Sequence, residues 1–147
     1  MAIPALKVLR ADLVLTTSYV ATSALSVGEF PEAIFYLDWT NAASGADNTI
    51  QFFFEFSPDG TNWYRETHED IAKATGILTT RAIERTWIQK AADTGDDLFE
   101  IPVKCPETNV RVQVKETVTS GAAGNLTVSA RQQEADSGSR SEIPSVT

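Results

Sequence analysis

The chain has little of what reactive or cross-linked sites are built from. Its 147 residues include one cysteine, one methionine and one histidine. One cysteine cannot form a disulfide within the chain and leaves nothing to complete a thiolate metal site. We therefore predict that Cys105 is a core thiol and that the chain is compatible with synthesis in a reducing cytoplasm. The length is sufficient to bury a core without cross-links.

Basic charge is also scarce. Twelve lysines and arginines stand against 20 aspartates and glutamates, which gives a formal net charge of −8. A protein whose main task is to grip nucleic acid needs cationic side chains that displace counterions from phosphates. We therefore predict no nucleic-acid partner, and we expect the acidity to suit docking onto a basic protein surface.

Long apolar runs are missing as well. No stretch approaches the roughly 20 apolar residues that span a bilayer, and the first residues lack the basic-then-apolar order of a secretory signal. The sequence therefore predicts neither a membrane partner nor export.

No motif for catalysis or cofactor binding stands out. A triad would have to use His68, the only histidine, but no Gly-x-Ser-x-Gly elbow marks a serine for it. The glycines lack the lysine and the strand-to-helix context of a phosphate-binding loop. Calcium held by Asp93, Asp96 and Asp97 is an alternative to an ordinary solvated loop, although no stretch has the spacing of an EF-hand. We predict no catalytic residue, no cofactor and no metal.

What the chain does contain is alternation with a period of two, which is typical of strands. Glu32 to Thr40 and Ile50 to Ser57 each place apolar side chains on one face. In the first strand these are Ala33, Phe35, Leu37 and Trp39, and in the second Ile50, Phe52, Phe54 and Phe56. Because turn-forming residues 41–48 join the two strands, we predict that they pair as a hairpin with a longer loop.

A second hairpin is predicted in the C-terminal half. Val110 to Lys115 and Leu126 to Arg131 alternate in the same way and are joined by a glycine-containing link. Between the two hairpins, residues 71–90 favour strands, with a short helical turn near 69–74 as an alternative. Residues 98–101 predict a short strand, and Pro102 and Pro106 bracket a segment unsuited to the centre of a sheet.

Together these patterns predict an all-β protein, an antiparallel β-sandwich or jelly-roll-like single domain with extended terminal arms. The sandwich is expected over residues 11–132. Residues 1–10 are expected to form an N-terminal arm that pairs with a sheet edge or reaches a neighbour. Residues 133–147 are expected to form a flexible tail, because they contain too few large apolar side chains to order themselves.

The most informative stretch runs from Phe52 to Tyr64, where a tight turn separates two aromatic segments. Pro58 suits the second position of a type I turn, Asp59 can bond to nearby backbone, and Gly60 tolerates a left-handed conformation. Together with Ser57 these residues form the candidate hairpin turn. We expect residues 61–66 to return as the next antiparallel strand.

This Ser-x-Asp-Gly-x-x-Trp hairpin resembles one found in small β-sandwich proteins of tailed-bacteriophage virions, of the head decoration, cement or tail-associated type. The resemblance covers roughly the first half of the chain: residues 11–17, 32–40 and 50–64. The same turn occurs in carbohydrate-binding and adhesion modules. For that alternative, the candidate sugar platform comprises Trp39, Trp63, Tyr64 and Trp87.

The resemblance implies a non-enzymatic protein on the capsid surface of a virion, made in the host cytoplasm. Its partner would be the major capsid protein or another virion protein, and it would form a homo-oligomer, for which we prefer a trimer. A tail or neck accessory protein is the alternative within the virion.

Three apolar residues break the alternation. Ile34, Tyr36 and Phe53 occupy the faces that otherwise carry polar side chains. Either these strands are buried on both faces, or the three residues form an outward patch for subunit contact. We take them as the candidate subunit contact.

Overall fold

A computed structural model of the chain describes residues 5–28, 31–40, 48–88, 96–118 and 123–133. These residues form strands, turns and irregular segments and contain no helix. The strands are β1 (Lys7–Val14), β2 (Val20–Ala21), β3 (Leu25–Ser26), β4 (Glu32–Thr40), β5 (Thr49–Ser57), β6 (Tyr64–Arg65), β7 (Thr67–Ile71), β8 (Leu78–Ala82), β9 (Arg85–Ile88), β10 (Asp96–Lys104), β11 (Asn109–Thr117) and β12 (Asn125–Gln133).

Two antiparallel sheets pack face to face, and a separate two-stranded ribbon accompanies them. Sheet A has the order β1-β12-β4-β10. Sheet B is centred on β11 and β5, which pair along nine residues. The short strands β2 and β3 pair with the free edge of β11, one after the other along its length. In the same way, β6 and β9 pair with the free edge of β5. The ribbon consists of β7 and β8. The predicted all-β sandwich is confirmed.

The core lies between the two sheets, as the alternation predicts. The inward residues of β4 and β5 are all at most 5% exposed. They meet across the sandwich, where the rings of Phe35 and Phe54 pack edge to face with their centroids 4.9 Å apart. Val110, Val112 and Val114 of β11 and Leu126, Val128 and Ala130 of β12 complete this layer, each with 0% exposure.

The hairpins predicted for β4 with β5 and for β11 with β12 are wrong, whereas the strand after the Ser57 to Gly60 turn does pair with β5. β4 belongs to sheet A, where it pairs with β10 and β12, whereas β5 belongs to sheet B. In the same way β11 lies in sheet B and β12 in sheet A. Each link therefore carries the chain from one sheet to the other. Alternation does not distinguish this arrangement from a hairpin, because the apolar face of each strand is buried in either one.

The intervening segments also differ in part from prediction. The strand expected at residues 98–101 is longer, since β10 pairs with β4 along all nine of its residues. It is an edge strand of sheet A, as its Pro102 requires. Residues 67–88 form three strands, and the alternative helical turn at 69–74 is replaced by the end of β7 and a turn in which Gly76 N donates to Ala72 O. The returning strand after Gly60 is only β6, two residues long.

The N-terminal segment joins sheet A. β1 begins at Lys7 and pairs with β12, with irregularities on either side of Arg10. The predicted arm at residues 1–10 lies partly outside the described residues, as does nearly all of the predicted tail. In the part of the chain that the structure describes, no helix is long and apolar enough to cross a membrane.

Cys105 is buried with 6% exposure, which confirms the predicted core thiol. Burial, followed by the nearby carboxylates of Glu32 and Glu66, raises the pKa of this thiol to about 12. It is therefore a neutral thiol at physiological pH, and a neutral thiol is a poor nucleophile.

Candidate interaction surfaces

The candidate turn is a closed hydrogen-bond network. The Ser57 hydroxyl accepts from the backbone N of Gly60 at 2.8 Å, and Asp59 Oδ1 accepts from the backbone N atoms of Thr61 and Asn62 at 2.8 Å each. These hydrogen bonds lower the pKa of Asp59, with the Asn62 backbone as the largest cause. Gly60 has a φ of 76°, which side chains other than glycine rarely adopt. The side chains of Ser57 and Asp59 thus shape the turn.

Phe53 points outward from sheet B but is only 7% exposed. The ring of Tyr19 packs edge to face against it with the centroids 4.8 Å apart, and the Arg65 guanidinium lies 3.8 Å from its centroid. Glu84 holds this cover in place by accepting a hydrogen bond from the Tyr19 hydroxyl and pairing with Arg65 at 3.9 Å. The strand is therefore buried on both faces at Phe53, which is the first of the two interpretations of the broken alternation.

The same outer face of sheet B continues as a layer of cations on aromatic rings. The Arg111 guanidinium lies 4.1 Å from the Trp63 ring centroid and donates from Nε to Glu55 at 2.8 Å. Lys115 Nζ lies 4.7 Å from the centroid of Tyr19. Such contacts cover apolar rings while leaving charge in water. Sequence reasoning missed this layer, although the alternation of Arg111, Gln113 and Lys115 on one face was visible.

Ile34 and Tyr36 lie on the outer face of sheet A, on the opposite side of the sandwich from Phe53. The structure therefore does not bring the three candidate contact residues together. Tyr36 is half-buried and forms part of the floor of a groove of about 570 Å³. We call this the sheet-A groove; it is lined by Leu6, Tyr36, Leu37, Asp38, Leu98, Phe99, Glu100, Thr127 and Ser129.

Two exposed leucines form walls of the sheet-A groove. Leu6 precedes β1 and is 58% exposed, and Leu98 of β10 is 71% exposed. Between them, Asp38 lies opposite Leu98 and Thr127 in the strand register. Burial, and then the neighbouring carboxylates of Asp96 and Asp12, raise the pKa of Asp38. The groove thus combines apolar walls with a poorly compensated negative charge.

The ribbon of β7 and β8 is the most exposed part of the described chain. All ten of its residues are exposed, and it pairs with neither sheet among the described residues. Ile71, Leu78 and the adjoining Ile77 are 66%, 53% and 61% exposed. Its base is anchored, since Glu66 N donates to Phe54 O and Ile83 N donates to Glu66 O, each at 3.0 Å. The ribbon therefore carries an apolar end on a fixed base.

A buried carboxylate ties the ends of the two links together. Glu116 of β11 faces the core and is 1% exposed. It accepts hydrogen bonds from Trp39 Nε1 at 3.0 Å, Asn48 Nδ2 at 3.2 Å and the backbone N of Gly124 at 2.9 Å. Burial raises its pKa, while these three hydrogen bonds lower it in part. We call this set the Glu116 cluster. The alternation could have found it, because Glu116 follows Val110, Val112 and Val114 on the inward face.

The remaining sequence candidates are dispersed. His68 lies on the ribbon, where its Nε2 is 3.2 Å from Asp70 Oδ1. Asp96 and Asp97 are consecutive in β10 and point to opposite faces; Asp97 is buried and accepts from Trp87 Nε1 at 2.9 Å. Asp93 lies outside the described residues. Within the described ranges, no three His, Cys, Asp or Glu side chains are placed to hold a metal ion.

The aromatic residues considered as a sugar platform are separated too. Trp39 is fully buried, and Trp63 lies beneath Arg111. Trp87 stacks on Phe99 with the ring centroids 4.0 Å apart and the planes 4° from parallel. Tyr64, 60% exposed, is the most accessible of the four.

Comparison of the chain with protein-family profiles, with curated protein sequences and with solved structures finds no match.

Proposed function

We propose that this chain is a non-enzymatic structural protein of a phage virion, a decoration or cement protein that binds and stabilises the capsid surface. In this proposal it forms a homotrimer on the capsid after synthesis in the host cytoplasm. Its partner is the major capsid protein or another virion protein. The virion assignment rests on the resemblance of the Ser57 to Trp63 hairpin.

The exposed ribbon of β7 and β8 is the feature that supports a docking role. A two-stranded hairpin alone is marginally stable in water, and exposed aliphatic side chains add nothing to the core. Here Ile71, Ile77 and Leu78 cluster at the end of a ribbon whose base is anchored at Glu66. Such an end can bury its apolar side chains only against another surface, and that is what a protein docking onto a particle requires.

A carbohydrate-binding module is a weaker alternative on this geometry. A sugar platform needs exposed aromatic faces, and the buried Trp39, the covered Trp63 and the stacked Trp87 do not share one. A glycan array with the wild-type chain tests this alternative. Binding that is lost in Tyr64→Ala and kept in Tyr36→Ala would favour it over the virion proposal.

The direct test is to locate the chain in particles of the phage whose genome encodes it. Electron cryo-microscopy of purified virions should show it at regular capsid positions, and protein stoichiometry should give a copy number that scales with the capsid lattice. Copies confined to the tail or neck would overturn decoration but keep the virion assignment. Absence from purified particles would overturn both.

The role of the ribbon is tested on particles that lack the chain. Purified protein added back should occupy them, and Ile71→Ser combined with Leu78→Ser should lower the occupancy. Thr79→Ser and Thr80→Ser, on the same ribbon, form the matched control and should bind as the wild type does. Equal occupancy for all three proteins would show that docking does not use the ribbon.

A further inference from the structure

The sheet-A groove has the shape of a site for an extended segment. It crosses β10, β4 and β12, with Leu6 contributing from the residues before β1. Leu98, Asp38 and Thr127 lie in one row across the three strands, and Glu100, Tyr36 and Ser129 lie in the next. The groove therefore offers apolar walls and a polar floor whose positions are set by a regular sheet.

The sheet-A groove contains a carboxylate, that of Asp38, which no cation of the described residues neutralises. Asp38 Oδ1 is buried and has no hydrogen-bond partner among the described residues. The neighbouring acidic groups are Glu100, which lines the groove, and Asp96 and Asp12, which act on Asp38 through space. The side chain as a whole is half-buried, so a cation can approach it from the groove, and such a cation would offset the cost of the unpaired oxygen.

No cation of the described chain supplies this partner. Two strands flank β4, and each carries one basic residue. Lys104 of β10 lies opposite Glu32, six positions from Asp38 along β4. Arg131 of β12 lies opposite Ile34, four positions from Asp38. The Arg131 guanidinium instead lies 5.9 Å from the ring centroid of Tyr36. A second copy of the chain would present the same acidic row, and like charges facing each other oppose association.

We propose that the sheet-A groove binds a segment of a partner protein that presents a lysine or arginine to Asp38 between apolar side chains that pack on Leu6 and Leu98. In an extended segment, alternate residues share a face, so an apolar-x-basic-x-apolar order satisfies both features. This inference rests on the proposed docking role and names the chemistry of the partner surface. It does not depend on the ribbon.

The test uses the full chain and a defined probe, a capped nine-residue peptide with the central order Leu-Thr-Lys-Thr-Leu. Matched peptides carry glutamine or glutamate in place of the lysine. Amide shifts in a nitrogen-15 spectrum should be confined to Tyr36, Asp38, Leu98 and Thr127 with the lysine peptide. Affinity should fall at least about tenfold with glutamine and vanish with glutamate.

Two variants of equal net charge sharpen the result. Asp38→Asn should lose the preference for lysine over glutamine, while Glu69→Gln, an acid-to-amide change on the distant ribbon, should keep it. Thermal unfolding of both variants checks that they remain folded, and Leu98→Ser provides a second groove variant that keeps the charge. Equal binding of the lysine and glutamate peptides, or an unchanged preference in Asp38→Asn, would overturn the proposal.

Self-association is an outcome of the same experiment. If sedimentation shows an oligomer that Leu98→Ser dissociates, a second copy occupies the groove and the proposal is wrong. None of these measurements needs a virion. A failed groove test beside copies on the capsid would reject the groove alone, and peptide binding without virion copies would reject the proposed function alone.

Discussion

The core strands and the ribbon both form antiparallel ladders, but different interactions stabilise them. In β4 every inward side chain is at most 1% exposed, whereas the ten residues of the ribbon are all exposed. The core strands are held by apolar burial between two sheets. The ribbon is held by its own ladder and by surface ion pairs such as that of Asp70 with Arg81 at 3.1 Å.

Strand content and stability are therefore separate properties in this chain. Burial contributes roughly 25 cal/mol per Å² of apolar surface, whereas an exposed ion pair contributes about 0–1 kcal/mol. We therefore expect the ribbon to open without the sandwich unfolding. A surface that contributes little to stability is free to be used for contact with a partner.

The largest expected effect is in the core. Phe35→Ala should lower the free energy of unfolding by about 3–5 kcal/mol, because it removes a fully buried ring that packs on Phe54. Urea unfolding followed by tryptophan fluorescence measures it. Ile71→Ala on the ribbon is the control and should change the free energy by less than about 0.5 kcal/mol. Similar losses in the two variants would contradict the comparison.

The next effect concerns the Glu116 cluster. Glu116→Ala should lower the free energy of unfolding by about 3 kcal/mol, because it leaves the donors of Trp39, Asn48 and Gly124 without their acceptor. Glu116→Gln keeps one oxygen in place and should cost about 1 kcal/mol. Chemical denaturation at neutral pH compares them, and equal losses would show that an amide oxygen in the same place cannot replace the carboxylate as acceptor.

Gly124→Ala should cost about 2 kcal/mol. A Cβ at this position would lie 2.4 Å from the carbonyl oxygen of Thr40 and 2.8 Å from Trp39 Nε1. The control is Gly76→Ala in the ribbon turn, where a Cβ meets nothing within 4 Å but φ is +69°. We expect Gly76→Ala to speed hydrogen exchange in the ribbon alone. Slowed or unchanged exchange there, or a global loss equal to that of Gly124→Ala, would argue against the distinction.

The contributions of Glu116 and of Asp59 in the turn to stability should depend on pH in opposite directions. The folded pKa of Glu116 is raised above its unfolded value, so its ionisation destabilises the fold as pH rises through that folded pKa. Relative to Glu116→Gln, the wild type should therefore gain stability as pH falls from about 7 towards about 4. Thermal unfolding of both proteins across this range measures the difference. If the wild type instead lost stability relative to Glu116→Gln on acidification, the expected direction of the effect would be wrong.

Asp59 should behave in the opposite way. Its folded pKa is lowered, so the stability that it contributes is present above its unfolded pKa and is lost as pH falls below about 4. Asp59→Asn should flatten this part of the acid-unfolding curve. We expect this to be the smallest of the effects, because the carboxylate is fully exposed and screened by solvent. If Asp59→Asn left the acid-unfolding curve unchanged, the turn would not contribute to acid unfolding.

Part of this molecule could be predicted from the sequence. The bounds of β4 and the inward faces of β4, β5, β11 and β12 follow from alternation. The burial of Cys105 follows from its being the one cysteine of the chain. The turn at Ser57 to Gly60 follows from residue types that act on adjacent backbone. The strands and the turn depend on residues a few positions apart, and such local patterns can be read along the chain.

The candidate surfaces could be predicted less well. Ile34 and Phe53 both break the alternation, yet they lie on opposite sides of the sandwich. Phe53 is covered by Arg65 of the strand that returns after the turn and by Tyr19 from a distant part of the chain. The sheet-A groove likewise needs Leu6 and Leu98 on either side of Tyr36. No pattern of neighbouring residues predicts which residues far apart in sequence come into contact.

The residues that form the core strands, and the side of each strand that faces inward, can be read from the sequence alone. Both depend on a period of two that every strand carries within itself. The placement of β4 and β5, and of β11 and β12, in different sheets becomes visible only in the folded molecule. An apolar face is buried whether the next strand lies beside it or across the core, so the choice between the two depends on the packing of all the strands together.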